Sequence, residues 1–241
     1  MKVSVVVPAF NEERVLAASL ASMRAAMRAF ERLGWVSELI VCDNNSTGRT
    51  ADIARDAGAR VVFEPVNQIA RARNAGAAAA TGEWLVFVDA DSQPSEALFA
   101  DMAAEIQKGR CLAGGATVSL GEAEWLPRLA VSSWNAVSRL TRWAAGTFIF
   151  CETTTFRDVG GFSQELYAAE EIDLFRRLKR LARTKGRSIV ILTRHPIVTS
   201  DRKARLYSQR EHFTFLMRTL LGGGRTLKSA DDCFTWYDGR R

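Results

Sequence analysis

Trp84-Leu85-Val86-Phe87-Val88 is followed at once by Asp89-Ala90-Asp91, and few folds accommodate that order. An apolar run without alternation suits a strand covered on both faces, as in a parallel sheet, and open α/β sheets bind ligands at the carboxyl ends of such strands. Residues two apart in extended backbone point the same way, so Asp89 and Asp91 can converge on one hard cation, which can in turn grip a diphosphate. On spacing alone, two acids that simply end a strand and solubilise a turn are an equally good reading.

Other runs repeat the pattern. Val3–Val7 reads as a buried strand that stops at Pro8, whose missing N–H cannot serve a central ladder. A long helix follows from about Glu12 to Leu33, with Asn11 as its N-cap and Gly34 as its stop. Glu38–Cys42 is the next strand, ending in the turn-rich Asp43-Asn44-Asn45-Ser46-Thr47-Gly48 and a helix through about Ala57. A short strand at Arg60–Phe63 and a helix at Gln68–Ala80 return the chain to Trp84. This order gives right-handed crossovers and an α/β fold with helices on both faces of a mostly parallel sheet. It brings Asn11 and Glu12, Asp43 and Asn44, and Asp89 and Asp91 to one sheet edge. No G-x-G-x-x-G or G-x-x-x-x-G-K-[ST] occurs in these loops, so a metal ion is favoured over a glycine cradle for holding phosphate.

Further along, Ser95 caps a helix to Gln107, Cys111–Ser119 and Thr147–Cys151 read as strands, and Trp125–Trp143 is helical or mixed. Trp125, Trp134 and Trp143 recur at an interval that does not keep them on one helical face, so they are packing residues first and an acceptor platform second. Gly160-Gly161 marks a turn where bare backbone approaches something closely. The helix Ala169–Leu181 carries Glu170, Glu171 and Asp173 in its first turn; these complement the helix dipole and also offer a general base.

A net charge of +6 favours polyanionic partners without choosing among them. The four cysteines form no C-x-x-C pair, which argues against a zinc site or a disulfide framework and for an intracellular, cytoplasmic protein. Val3–Val7 is too short for a signal peptide's apolar core, and Leu129–Phe150 is interrupted by Arg139 and Arg142, so a soluble or peripheral protein is expected.

Four segments carry a resemblance. VSVVVPAFNEE, ELIVCDNNSTGRT, RNAGAAAATGEWLVFVDADSQP and FRDVGGFSQELYAAEEIDLFRRL, in this order, resemble the inverting family-2 glycosyltransferases of the GT-A fold over most of residues 3–205. The resemblance implies a glycosyltransferase domain at 1–205, with a nucleotide-sugar half to about 110 and an acceptor half from 111, before a helical tail at 206–241. It implies that Pro8, Phe10, Asn11 and Glu12 line the nucleoside pocket, that Asp43 bonds the base or ribose, and that Arg71 approaches base or phosphates. Asp89, Ala90 and Asp91 form the D-x-D element, serving ribose and Mn²⁺ or Mg²⁺, with Asp91 the firmer ligand. Glu171 stands where the family usually has an aspartate base, one methylene longer, and Gly48 where a loop aspartate is usual. Arg202 or Lys203 would cover the diphosphate or else form solvated surface, and His195, beside a proline in a loop, is either a further metal candidate or structural.

The implied partners are a nucleoside-diphosphate sugar, with a lean to uridine, and a saccharide or lipid-linked acceptor, but no nucleic acid. The Q-x-x-R-W element of processive members is absent, which favours single addition. The tail from Leu206 onward sets apolar residues at near-helical spacing beside basic ones and either packs back on the domain, forms a homodimer contact, or rests peripherally on an anionic membrane. A sugar-phosphate nucleotidyltransferase and a non-catalytic nucleotide-binding protein are the competing readings.

Overall fold

The computed structural model describes residues 1–121, 125–200 and 225–233. Its elements are β1 (Lys2–Ala9), α1 (Leu16–Glu31), β2 (Val36–Asp43), α2 (Thr50–Asp56), β3 (Arg60–Phe63), α3 (Ile69–Ala79), β4 (Trp84–Val88), β5 (Ser92–Gln93), α4 (Glu96–Gln107), β6 (Cys111–Leu120), α5 (Trp125–Thr141), β7 (Phe148–Glu152), α6 (Thr153–Asp158), α7 (Glu170–Thr184) and β8 (Ser188–Thr199), followed by a short 3₁₀ turn at Arg225–Lys228. The strands form one sheet in the order β3-β2-β1-β4-β7-β6-β8-β5. β3, β2, β1 and β4 run parallel, β7 is antiparallel to both of its neighbours, and β8 returns parallel to β6.

The core divides by strand alternation. Val5, Val7, Val86 and Val88 meet α1 and α4 through Leu20, Phe30, Phe99 and Met102. Val6, Leu85 and Phe87 meet α3, α6 and α7 through Ala77, Phe156, Leu174 and Phe175. Successive side chains of β4 therefore serve opposite layers, which is why its run has no polar position. Gly76 lets α3 settle on β1, because a Cβ there would lie 2.4 Å from Val6 Cγ1.

Three expectations are corrected. β1 does not stop at Pro8: pairing with β4 ends at Val6 opposite Phe87, whereas pairing with β2 continues to Ala9 opposite Asp43, so Pro8 has a strand on one side only. Asn11 does not cap α1, whose N-cap position is Val15. Its backbone is left-handed at φ 54°, and its side chain is used elsewhere. His195 is not in a loop but within β8. There Leu192 pairs with Ala116 and Ile197 with Val118, so the intervening residues Thr193–Pro196 bulge outward.

Candidate active site

Three polar assemblies form beyond the carboxyl ends of the central strands. The first ties the β1 and β2 loops together. Asn11 N donates to Ser46 Oγ at 2.9 Å, and Asn11 Oδ1 accepts from Thr47 N at 2.9 Å. Asp43, 6% exposed, accepts from Ser46 N at 3.3 Å, and Glu12 N donates to Thr50 Oγ1 at 3.1 Å. Glu13 reaches into the same junction. Its Oε2 accepts from Arg49 N at 3.1 Å and would lie 2.7 Å from a Cβ at Gly48, so its carboxylate occupies the space that glycine leaves open.

The second is organised by Arg73, a residue passed over in the sequence in favour of Arg71. Arg73 is 1% exposed. Its Nη1 donates to Glu170 Oε1 at 2.6 Å, and its Nη2 donates to Asp89 Oδ1 at 2.9 Å and to the Gly146 carbonyl at 3.0 Å. The guanidinium also stands 5.1 Å over the Phe162 ring. One buried cation thus joins the end of β4 to the start of α7. Arg71 instead donates through Nε to Gln68 Oε1 at 3.0 Å. Spacing could not separate the two arginines. The signal was helical phase: position 73 lies three residues before Gly76, on the face of α3 that meets the sheet.

Glu171 follows Glu170 in the first turn of α7. Its carboxyl is pushed up to about 8, first by burial and then by the charge of Glu170, against the opposing pull of Arg73. Ala169, immediately before the helix, holds a left-handed backbone at φ 60°. The preceding segment is pinned from α3: Gln68 Nε2 donates to the Gln164 and Leu166 carbonyls, and Asn74 pairs with both backbone groups of Phe162 at 2.8 and 2.9 Å. The C-terminal turn closes the far side, with Tyr167 N donating to Leu227 O at 2.7 Å.

Asp91 belongs to the third assembly. Ser200 Oγ donates to its Oδ2 at 2.6 Å, and Thr199 Oγ1 lies 3.5 Å from Oδ1. It lines a cavity of about 290 Å³ with Arg14, Val15 and Ser19 of the α1 region, Gln93, and Gly121. That cavity is not lined by Pro8–Glu12 or by Asp43. The two D-x-D carboxylates therefore engage different partners, Asp89 the Arg73 cation and Asp91 a hydroxyl pair. The contribution of Thr199 and Ser200 was not visible in the sequence, because Arg194-His195-Pro196 interrupts the apolar pattern of β8.

His195 is turned to Asp101 of α4, with Nδ1 2.8 Å from Oδ2, and not to the aspartate pair. Arg202 and Lys203 lie outside the described residues. Among the described residues no group of three or more His, Cys, Asp or Glu side chains is gathered as a ready-made metal site. The Asp91 carboxylate and the Thr199 and Ser200 hydroxyls beside it nonetheless fit a hard divalent ion that takes one or two carboxylates from protein and the rest of its shell from phosphate and water. All four cysteines are free and buried. No helix among the described residues is long and apolar enough to cross a membrane.

The family model described as Glycosyl transferase family 2 matches residues 4–161. The chain belongs to glycosyltransferase family 2. An uncharacterized glycosyltransferase of Mycobacterium tuberculosis (strain ATCC 25618 / H37Rv) is 37% identical over 123 residues, covering 51% of this chain and 52% of that one. A Mycobacterium bovis counterpart matches to the same extent, so the match spans about half the length of these curated relatives. Among solved structures, S. aureus TarS 1-349 in complex with UDP-GlcNAc superimposes with a TM-score of 0.66 at 21% identity, over 100% of this chain and 74% of that one. A Pyrobaculum calidifontis mannosyltransferase in complex with GDP-Man and Mn²⁺ gives 0.64 at 18% identity, over 93% and 62%. Glucosyl-3-phosphoglycerate synthase from M. tuberculosis, in complex with Mn²⁺, UDP and phosphoglyceric acid, gives 0.59 at 20%, over 91% and 76%. The family-2 chain thus has the GT-A fold, a mixed, mostly parallel sheet flanked by helices.

Proposed function

We propose that the protein transfers a sugar from a nucleoside-diphosphate sugar to an acceptor hydroxyl with inversion, and that Glu171 is the general base. The observation that carries this reading is the Arg73 bridge: it holds Asp89 at the end of β4 against Glu170, and so sets the neighbouring Glu171, its carboxyl raised to about 8, beside the D-x-D strand. A carboxylate with a raised value accepts a proton near neutral pH far more readily than an ordinary glutamate. Glu171 would take the acceptor proton as the hydroxyl attacks the anomeric carbon and the bond to the nucleoside diphosphate breaks on the opposite side.

The other residues have binding roles. The Asn11–Asp43 junction would seat the nucleoside, with Pro8, Phe10 and Glu12 completing the wall. Mn²⁺ or Mg²⁺, when bound, would neutralise charge on the departing diphosphate. Asp91 is the carboxylate to hold it, since Arg73 already offsets the charge of Asp89. Two of the three superimposed complexes contain UDP or a UDP-sugar, which supports the lean to uridine.

The test is turnover of UDP-sugars and GDP-mannose with Mn²⁺ by Glu171→Gln and wild type. The expected result is a fall in kcat of about 10²-fold or more with donor binding retained. Equal turnover by the variant would remove Glu171 as base. Donor binding by wild type without transfer or hydrolysis would favour the non-catalytic reading.

A further inference from the structure

We propose that the outer face of α5 docks the protein on an anionic phospholipid bilayer. α5 rests on the sheet by one face only. Asn135 clamps the β6 backbone from both sides, its Oδ1 accepting from Val118 N at 2.9 Å and its Nδ2 donating to Val118 O at 2.8 Å. Ser138 is buried and donates to Trp143 O, while Val131 and Trp134 are half-buried. The helix axis is therefore fixed.

The opposite face is apolar and open. Trp125, Leu129 and Leu140 are 74%, 57% and 87% exposed, and with exposed Ala136 they fall within an arc of about 60° on a helix of 3.6 residues per turn. Val137, 42% exposed, widens the stripe on one side, and exposed Arg128 and Arg139 edge it on the other. α5 itself contains no acidic residue; Glu122 and Glu124 precede it in the sequence, and exposed Arg142 follows it. Exposed leucines and a tryptophan beside a row of arginines are the pattern of a helix lying in the headgroup plane, its apolar side chains entering the acyl boundary and its cations meeting lipid phosphate.

Charge decides among occupants. A second copy packed by this face would set one arginine row near another with no acid on α5 to pair with it. The chain's own residues 206–224 carry Arg210 and Arg218 against a single acid, Glu211, and would also bring positive charge to positive charge. An anionic surface satisfies both the stripe and its edge. The placement also suits an acceptor presented from a membrane: Gly121 lines the Asp91 cavity and also a groove formed by Arg128, Val131, Ser132 and Asn135 of α5.

The experiment is co-sedimentation of the full chain with vesicles of phosphatidylcholine mixed with phosphatidylglycerol, against phosphatidylcholine alone. Wild type should partition to the anionic vesicles and be released by salt. Leu129→Glu/Leu140→Glu should lower partitioning about tenfold or more, and Arg128→Gln/Arg139→Gln roughly tenfold, with circular dichroism and donor-induced thermal stabilisation unchanged. The arginine pair serves as the measure should the leucine pair misfold. Failure of wild type to sediment would overturn the proposal, as would equal partitioning of wild type and both variants. So would self-association that the leucine pair abolishes without any vesicle binding. These results do not depend on whether Glu171 is the base.

Discussion

Glu171 stands under two opposing influences, burial and the Glu170 charge on one side and the Arg73 guanidinium on the other, and the first pair prevails. The sign of the consequence for stability can be worked out. Below about pH 4.5 the group is protonated in both native and unfolded chains and contributes nothing. Between about 4.5 and about 8 the unfolded chain releases its proton while the native one retains it, so the native state loses stability as pH rises; above about 8 the loss is constant. Glu171→Gln should therefore unfold at about the same denaturant concentration as wild type near pH 4.5 and at a clearly higher one near pH 8.5. A variant that loses turnover while gaining alkaline stability is the signature of a strained functional carboxylate. A glutamate serving only as a dipole partner at the start of α7 would lose stability on neutralisation. Equal stability of the two proteins across pH, in paired denaturant titrations, would contradict the raised value.

At the scale of elements, α3 is the member that fixes the α7 side of the site. Gln68, Arg73 and Asn74, all from this helix region, hold the loop at 162–166 and the start of α7. Asn74 does so at a place where no side chain fits opposite: a Cβ at Gly161 would lie 2.7 Å from Asn74 Oδ1, and the residue's φ is +67°. Asn74→Ala leaves the Phe162 N–H and carbonyl without these partners and should cost about 1–3 kcal/mol of stability. It should also lower kcat more than it raises the KM for donor, because it loosens the α7 side while the Asn11–Asp43 junction, the proposed nucleoside seat, is untouched. Urea unfolding and steady-state kinetics check both parts. The same elements show what the sequence could and could not reveal. β4 matches its expected limits because two-sided burial leaves an apolar run with abrupt ends. The Gly160-Gly161 turn was legible because few other residue types adopt that backbone, and the close approach is at Gly161 alone. β8 was not legible, since its bulge places Arg194, His195 and Pro196 inside a strand. That Arg73 is the buried cation depended on the rotation of α3 against the sheet, which an alternating R-A-R does not disclose.

For the whole molecule, the decisive property is that the site is spread over segments far apart in the chain. Asn11, Asp43, Arg73, Asp91, Glu171 and Ser200 come from six stretches that only the folded sheet brings into order. A donor that touches several of them binds the native state and not the unfolded chain, so its affinity appears directly as stability. At about a hundred times its Kd, a UDP-sugar with Mn²⁺ should add about 2.7 kcal/mol. For a chain of this size that is a rise in Tm of roughly 5–10 °C. On the proposed role of Asp91 phosphate oxygens complete the shell of the ion, so Mn²⁺ and UDP should each stabilise little alone and reinforce one another together. Asp91→Asn should abolish that reinforcement while retaining the smaller shift from nucleoside contacts. The result is read as the Tm of four samples per protein: apo, metal, nucleotide, and both. Additive shifts in wild type, or reinforcement surviving in Asp91→Asn, would mean that the Asp91 carboxylate does not hold the ion, and that the all-oxygen cluster it forms with Thr199 and Ser200 is only the hinge between β5 and β8.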